Sequence, residues 1–249
     1  MHQTKTDKVE RRQIAYTGYA PQYDVRRFSG RKNQYLERIR IRGVLHSIGL
    51  NRFDRRVLDV GCGTGRGPVA LAKAGFTNVT ALDFTEAMLR IAQEKVTELP
   101  NPEVVSLVRG DAFSLPFPDA SFDVVMSLKF FHMFKFNLQQ EILAELRRVC
   151  RPGGLLVIEL QSVHKGLFVT RYLEQRRVRA HQKFNSVWEV HQLFDSARFN
   201  NRRIVGTVLP KAYKVFQHWP DLGERVESIA YLPPFNWLAT QVVVAAERR

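Results

Sequence analysis

The chain has 249 residues, 45% apolar and 25% charged, a size and balance suited to one globular domain with a substantial core. Lys and Arg number 38 against 24 Asp and Glu, a formal charge of +14, while 17 Phe, 7 Tyr and 3 Trp make the chain too apolar for a solvated basic tail. No apolar run reaches the roughly 18 residues that span a bilayer; the start MHQTKTDKVERRQ lacks the apolar stretch of a secretory leader; and Cys62 and Cys150 alone cannot build a structural zinc site, so a metal-free protein of the reducing cytoplasm is expected.

In chain order, an aromatic segment over 16–24, holding Tyr16, Tyr19 and Tyr23, precedes a helical pattern over 33–48. Tyr35, Leu36, Ile39, Ile41 and Leu45 would form the buried stripe of that helix. Five short apolar runs follow, at 56–60, 78–83, 104–109, 122–127 and 154–160. Runs of this kind suit strands buried on both faces. Helical patterns lie between them, over 68–74, 85–99 with Thr85 as its N-cap, and 139–150, which Pro152-Gly153-Gly154 stops. Two more helices are expected over 165–183 and 186–197, then closing strands over 201–209 and 239–247, with an irregular stretch at 219–237. Strands alternating with helices predict an α/β domain with a parallel, doubly wound sheet.

Charge is uneven along this pattern. Residues 1–56 carry 14 basic and 5 acidic side chains, 57–160 carry 10 and 12, and 161–249 carry 14 and 7. The surplus is mostly arginine, as at Arg26, Arg27, Arg38, Arg40 and Arg42, and again at Arg171, Arg176, Arg177 and Arg179. Such runs read either as solvated helix faces or as a surface that attracts an anionic partner. Composition does not choose between the two.

The strongest motif is Asp59-Val60-Gly61-Cys62-Gly63-Thr64-Gly65. An acidic residue ends a buried strand, and alternating glycines let the backbone turn tightly and let a ligand approach the amides. A helix starts directly afterwards, so free N–H groups face that ligand. The dinucleotide pattern GxGxxG fails, because its third glycine would fall on Arg66 or Pro68.

The motif resembles the first motif, (D/E)xGxGxG, of class I S-adenosylmethionine-dependent methyltransferases. Further matches fall in order: Asp83 at the end of the second strand, Gly110-Asp111-Ala112 after the third, Leu115–Val125 before and into the fourth, and Leu146–Gly154 before the fifth. The small-molecule subgroup, similar to quinone, lipid and natural-product methyltransferases, is the nearest in spacing. The resemblance implies a Rossmann-like seven-stranded sheet of order 3-2-1-4-5-7-6 with strand 7 antiparallel, an N-terminal helical lid, and a helical insert between strands 5 and 6. The division expected is a basic arm or lid over 1–32 and a methyltransferase domain over 33–249, with the cofactor-binding core at 56–160 and a substrate-covering insert at about 163–198.

The same resemblance implies S-adenosyl-L-methionine as cofactor and S-adenosyl-L-homocysteine as product. Asp83 would bond both ribose hydroxyls, and Asp111 with the Ala112 amide would read the adenine. Gly61, Cys62, Gly63 and Gly65 would approach the donor from the loop. Phe84, Met88, Gly110 and Leu128 complete the expected cofactor contacts with Asp59, while Tyr19 or Tyr23 would stack from the lid. His132, in Phe130-Phe131-His132-Met133, is the expected catalytic base, with packing beside the cofactor as its alternative role. Lys129 is expected to face solvent, and Trp188 and His191 are weaker acceptor-pocket candidates. The expected partner is a small-molecule acceptor, anionic or lipid-like, with an anionic membrane surface as a docking site. An RNA methyltransferase using the basic flanks, or a non-catalytic binding protein, are the alternatives.

Overall fold

The computed structural model describes residues 18, 20–25, 30–49, 53–161, 185–207, 218–219, 222, 225, 229, 239 and 241–249. The helix expected over 165–183, Tyr19, and most of 219–237 lie outside the described residues. Helix α1 spans Arg31–Ile48. It leads to strand β1 (Val57–Val60), helix α2 (Arg66–Lys73), strand β2 (Val79–Asp83), helix α3 (Glu86–Thr97) and strand β3 (Val105–Arg109). Strand β4 (Phe122–Ser127), helix α4 (Phe136–Val149), strand β5 (Cys150–Gln161), helix α5 (Val187–Ser196), strand β6 (Phe199–Thr207) and strand β7 (Gln241–Arg248) complete the order.

The seven strands form one sheet of order β3-β2-β1-β4-β5-β7-β6. Pairs β2–β3, β1–β2, β1–β4 and β4–β5 are parallel, and β7 runs antiparallel to both β5 and β6. Alternate residues feed two cores. Leu58, Val125, Leu156 and Ile158 face α4 and α5, meeting Ile142, Leu146, Val190 and Phe194. Val57, Val124, Met126 and Val157 face the other layer, meeting Val44 and Ile48 of α1, Leu71 of α2 and Val96 of α3. Burial on both faces accounts for the continuous apolar runs.

Several expected boundaries and roles shift. Strand β5 begins at Cys150 rather than 154, because Cys150 pairs with Phe122 before a register shift. Helix α4 begins at Phe136, three residues early, with Lys135 at its N-cap and no side-chain cap there to signal it. Thr85 does stand at the N-cap of α3, but its side chain makes no capping bond. In α1 the buried stripe is Tyr35, Ile39, Arg40, Gly43, Val44, Ser47 and Ile48, so Arg40 belongs to the packed face and not to a solvated arginine run. A Cβ on Gly43 would fall 2.7 Å from Thr207 Cγ2, which shows how closely α1 lies on β6.

Candidate functional site

The chain leaves β1 through a loop in which Gly61, Gly63 and Gly65 have φ of 76°, 55° and 77°. L-residues with side chains rarely adopt this region, so the alternation of glycines is a conformational requirement. Gly61 N and Cys62 N donate to Leu82 O at 2.8 and 3.0 Å, and Gly63 N donates to Asp83 Oδ2 at 2.8 Å. A Cβ on Gly61 would fall 2.5 Å from Phe130 Cδ2, and one on Gly67 would fall 2.5 Å from Asp59 Oδ2. At Gly63 nothing lies within 4 Å of that position, and this glycine borders an open cavity.

That cavity lies at the carboxyl ends of the parallel strands. Asp59, Asp83 and Asp111, from β1, β2 and the turn after β3, all line it. Asp59 is 2% exposed, and its Oδ1 has no hydrogen-bond partner. Burial and the neighbouring Asp83 push its carboxyl up to about 8. Burial also raises Asp83, against the backbone amides of Thr85 and Gly63 that donate to it. Asp111 Oδ1 accepts from Phe113 N at 2.9 Å, which turns the chain so that Ala112 and Phe113 border the cavity. Burial, then Asp83 and Asp59, push the Cys62 thiol well up, which makes it a poor nucleophile.

Aromatic side chains form the apolar wall. Phe134 packs edge-on to Phe113 with ring centres 5.6 Å apart and lies 4.8 Å from Phe130. From the N-terminal side, Tyr23 reaches the cavity. Its neighbour Asp24 accepts from Thr64 Oγ1 at 2.8 Å and pairs with Lys95, whose Nζ also donates to Thr64 O at 2.8 Å. The helical turn over 20–25 is thus tied to the glycine loop and to α3.

The structure brings together Asp59, Gly61, Cys62, Gly63, Asp83, Phe84, Met88, Gly110, Asp111, Ala112, Leu128 and Tyr23 around one cavity. Gly65 stands behind it, where a Cβ would meet Ala92 Cβ at 2.8 Å. His132, the expected base, is not among the residues that line the cavity. It sits in the short 3-10 turn Phe131–Met133, where three residues per turn put Phe130 and Met133 on the cavity side and turn His132, 9% exposed, away from it. Trp188 and His191 do not reach the cavity either: both are solvent-exposed on α5, Trp188 to 77%.

Lys129 does not face solvent as expected, and with it the cavity gains a charged end. It follows β4 with φ 53°, and its Nζ lies 3.1 Å from Glu37 Oε2. Glu37 also pairs with Arg40 and, at 3.2 Å, with Arg66 Nε. Arg40 Nε lies 2.9 Å from Glu159 Oε2 on β5, and its Nη2 donates to Gln241 Oε1 at 2.9 Å. Although burial raises Glu37, the cations around it hold its carboxyl down to about 2. Burial and Arg40 lower Lys129 to about 8, against Glu37 and Glu159. The available sequence signal was one charged residue, Arg40, on the apolar stripe of α1, beside the sole acid of that helix.

The sheet order and the cavity at its carboxyl ends make the fold Rossmann-like. Residues 58–158 match the family described as "Methyltransferase domain". A demethylmenaquinone methyltransferase of Staphylococcus aureus (strain MRSA252) is 41% identical over 121 residues, covering 46% of this chain and 46% of that protein. The match thus spans about half the length of the curated relative. Among solved structures, magnesium protoporphyrin IX methyltransferase from Synechocystis PCC 6803, with bound SAM, is similar over 100% of both chains, at TM-score 0.68 and 14% identity. Geranyl diphosphate C-methyltransferase from Streptomyces coelicolor A3(2) is similar over 87% of this chain and 80% of that one, at TM-score 0.62 and 15% identity. These two likenesses establish the fold.

Proposed function

We propose that the protein transfers a methyl group from S-adenosylmethionine to a small-molecule acceptor. The observation that carries this reading is the row of three carboxylates on successive strands, Asp59, Asp83 and Asp111, facing one cavity beside an open glycine loop. The donor set fits the cofactor. Asp59 Oδ1, buried without a partner, suits an ammonium group that would repair its desolvation. Asp83 offers acceptor oxygens for adjacent hydroxyls, and Asp111 with the Ala112 amide suits an adenine edge.

Bound S-adenosylmethionine would supply a methyl group activated on a cationic sulfur. The residues of this chain would hold it and align an acceptor in line with it, a positioning effect that can remove roughly 7–11 kcal/mol of barrier. Leu128, Phe130 and Met133, which line the cavity, would exclude water from the bound donor. A small organic acceptor is favoured over RNA by the names of the similar proteins, which include demethylmenaquinone and geranyl diphosphate methyltransferases. A lipid-like acceptor would give the basic flanks a use at an anionic membrane. No helix among the described residues is long and apolar enough to cross one. A cytoplasmic location suits the free thiols Cys62 and Cys150. Residues 33–249 would act as one catalytic domain behind an N-terminal arm.

The test has two parts. Calorimetry should show S-adenosylhomocysteine binding to the wild type and weaker binding to Asp83→Asn. Incubation of a cell extract with methyl-labelled donor should then place label in the organic-soluble fraction. Label confined to RNA would move the reading to a nucleic-acid methyltransferase, and absence of cofactor binding would end it.

A further inference from the structure

We propose that Lys129, held by Glu37, grips an ionised oxygen of the acceptor, so that the acceptor is a phenol, enol or acid bound as its anion. This rests on the methyl-transfer reading and adds the acceptor chemistry to it. Position along the sheet is the first argument. The carboxylates suited to the cofactor come from β3, β2 and β1 in that spatial order. Lys129 follows β4 and Glu159 lies on β5, the next two strands in the same direction. The cluster therefore borders the half of the cavity beyond the place of the donor.

Charge is the second argument. Among the described residues, Arg40, Arg66 and Lys129 meet Glu37 and Glu159 at this end, three cations beside two carboxylates. Three aspartates occupy the other end. Arg40 is committed within the protein to Glu37, Glu159 and Gln241. Lys129, 27% exposed along its side chain, and Arg66, 30% exposed, both line the cavity, and of the two Lys129 is the one that follows β4, so its ammonium is the group an acceptor anion beyond the donor would meet. A charge-assisted hydrogen bond in a partly desolvated site is about twice as strong as a neutral one.

Backbone geometry is the third. Lysine in the left-handed region is uncommon, and such conformations persist where surrounding structure imposes them. Here the turn directs the side chain back across the cavity toward α1 rather than outward, as its contact with Glu37 shows. Although burial and Arg40 bring Lys129 down to about 8, Glu37 and Glu159 oppose that shift, so the ammonium form dominates at neutral pH. The hydroxyl proton of the acceptor would leave to solvent on binding, and Lys129 would form no covalent bond.

The experiment uses 2-naphthol and its methyl ether as probes, with S-adenosylhomocysteine already bound. At about pH 8 the wild type should bind the naphthol at least about tenfold more tightly than the ether, with naphtholate absorption appearing on binding. Lys129→Met and Lys129→Gln should each remove that preference and leave S-adenosylhomocysteine affinity unchanged, while Lys129→Arg should retain part of it. No naphthol preference in the wild type, or a preference that survives in both neutral variants, overturns the assignment. So does a loss of affinity for S-adenosylhomocysteine but not for 5'-methylthioadenosine, which would make Lys129 a holder of the cofactor carboxylate. Failure of the wild type to bind S-adenosylhomocysteine at all overturns the methyl-transfer reading itself.

Discussion

Asp59 combines deep burial, a partnerless oxygen and a like charge beside it. Its carboxyl stands at about 8 when folded, against roughly 3.9 when unfolded. Between those values the folded chain holds a proton that the unfolded chain has released. The stability contributed by the site is therefore full below about pH 4 and is lost as pH rises toward 8. Asp59→Asn should remove this loss, and thermal melts of the cofactor-free protein should show a higher Tm than wild type at pH 8, by about 2–4 °C per kcal/mol. The same substitution should weaken cofactor binding about tenfold, because an amide cannot offset an ammonium charge. Equal melting temperatures at pH 8 would disprove the first expectation. Asp59, Asp83 and Asp111 were legible in the sequence because each falls at or just past the end of an apolar run, with glycine turns marking two of them, at Gly61 and Gly110. Lys129, Glu37 and Arg40 were not, since Lys129 finds Glu37 across 92 residues and Arg40 finds Gln241 across 201. His132 lies in a 3-10 turn whose neighbours Phe130 and Met133 line the cavity while it does not, a placement that residue type alone could not indicate.

Among the elements, the glycine loop and α3 meet without room for a side chain at Gly65. Gly65 needs φ 77°, and a Cβ there would lie 2.8 Å from Ala92 Cβ and 3.0 Å from its Cα. Neither neighbour can swing away, since both are fixed by the helix. Gly65→Ala should therefore destabilise the fold by about 1–3 kcal/mol, read by chemical denaturation. Gly63→Ala carries the strained φ without a clash, so it should cost less stability than Gly65→Ala but obstruct the cavity. The turn over 20–25 is joined to the same loop through Asp24, Thr64 and Lys95. Asp24→Ala should release that tie, leave the melting temperature within a few degrees and speed cofactor dissociation several-fold in stopped flow. An unchanged rate would mean that the turn does not cover the cofactor. The strands were legible because both faces are buried. The start of α4 was not, because Lys135 at its N-cap makes no side-chain capping bond, whereas α3 starts after Thr85 as the sequence indicates.

At the scale of the whole molecule, the parallel sheet gathers ligand chemistry at one edge and stabilising charge at the opposite one. The surplus of arginine, which the sequence left undivided between solvent and partner, splits accordingly: Arg40 serves the cavity edge from inside, while Arg38 and Arg42 stay exposed on α1. At the opposite edge, Asp123 near the start of β4 accepts from Arg56 N at 2.8 Å and Arg56 Nε at 3.2 Å, just before β1, and from Arg151 Nε at 2.6 Å on β5. One carboxylate thereby pins three adjacent strands. Burial acts to raise it, but the bonds from Arg56 and Arg151 prevail and hold it down to about 2. The folded value lies below the unfolded one, so its contribution is complete above about pH 4 and is lost as pH falls through 2. With solvent screening, that contribution should be about 1–2 kcal/mol. Asp123→Asn should lower stability by this amount at pH 7, and the difference from wild type should shrink as pH falls from 4 to 2. A difference that stays constant over that range would mean that shape, and not charge, is what Asp123 provides to the three strands.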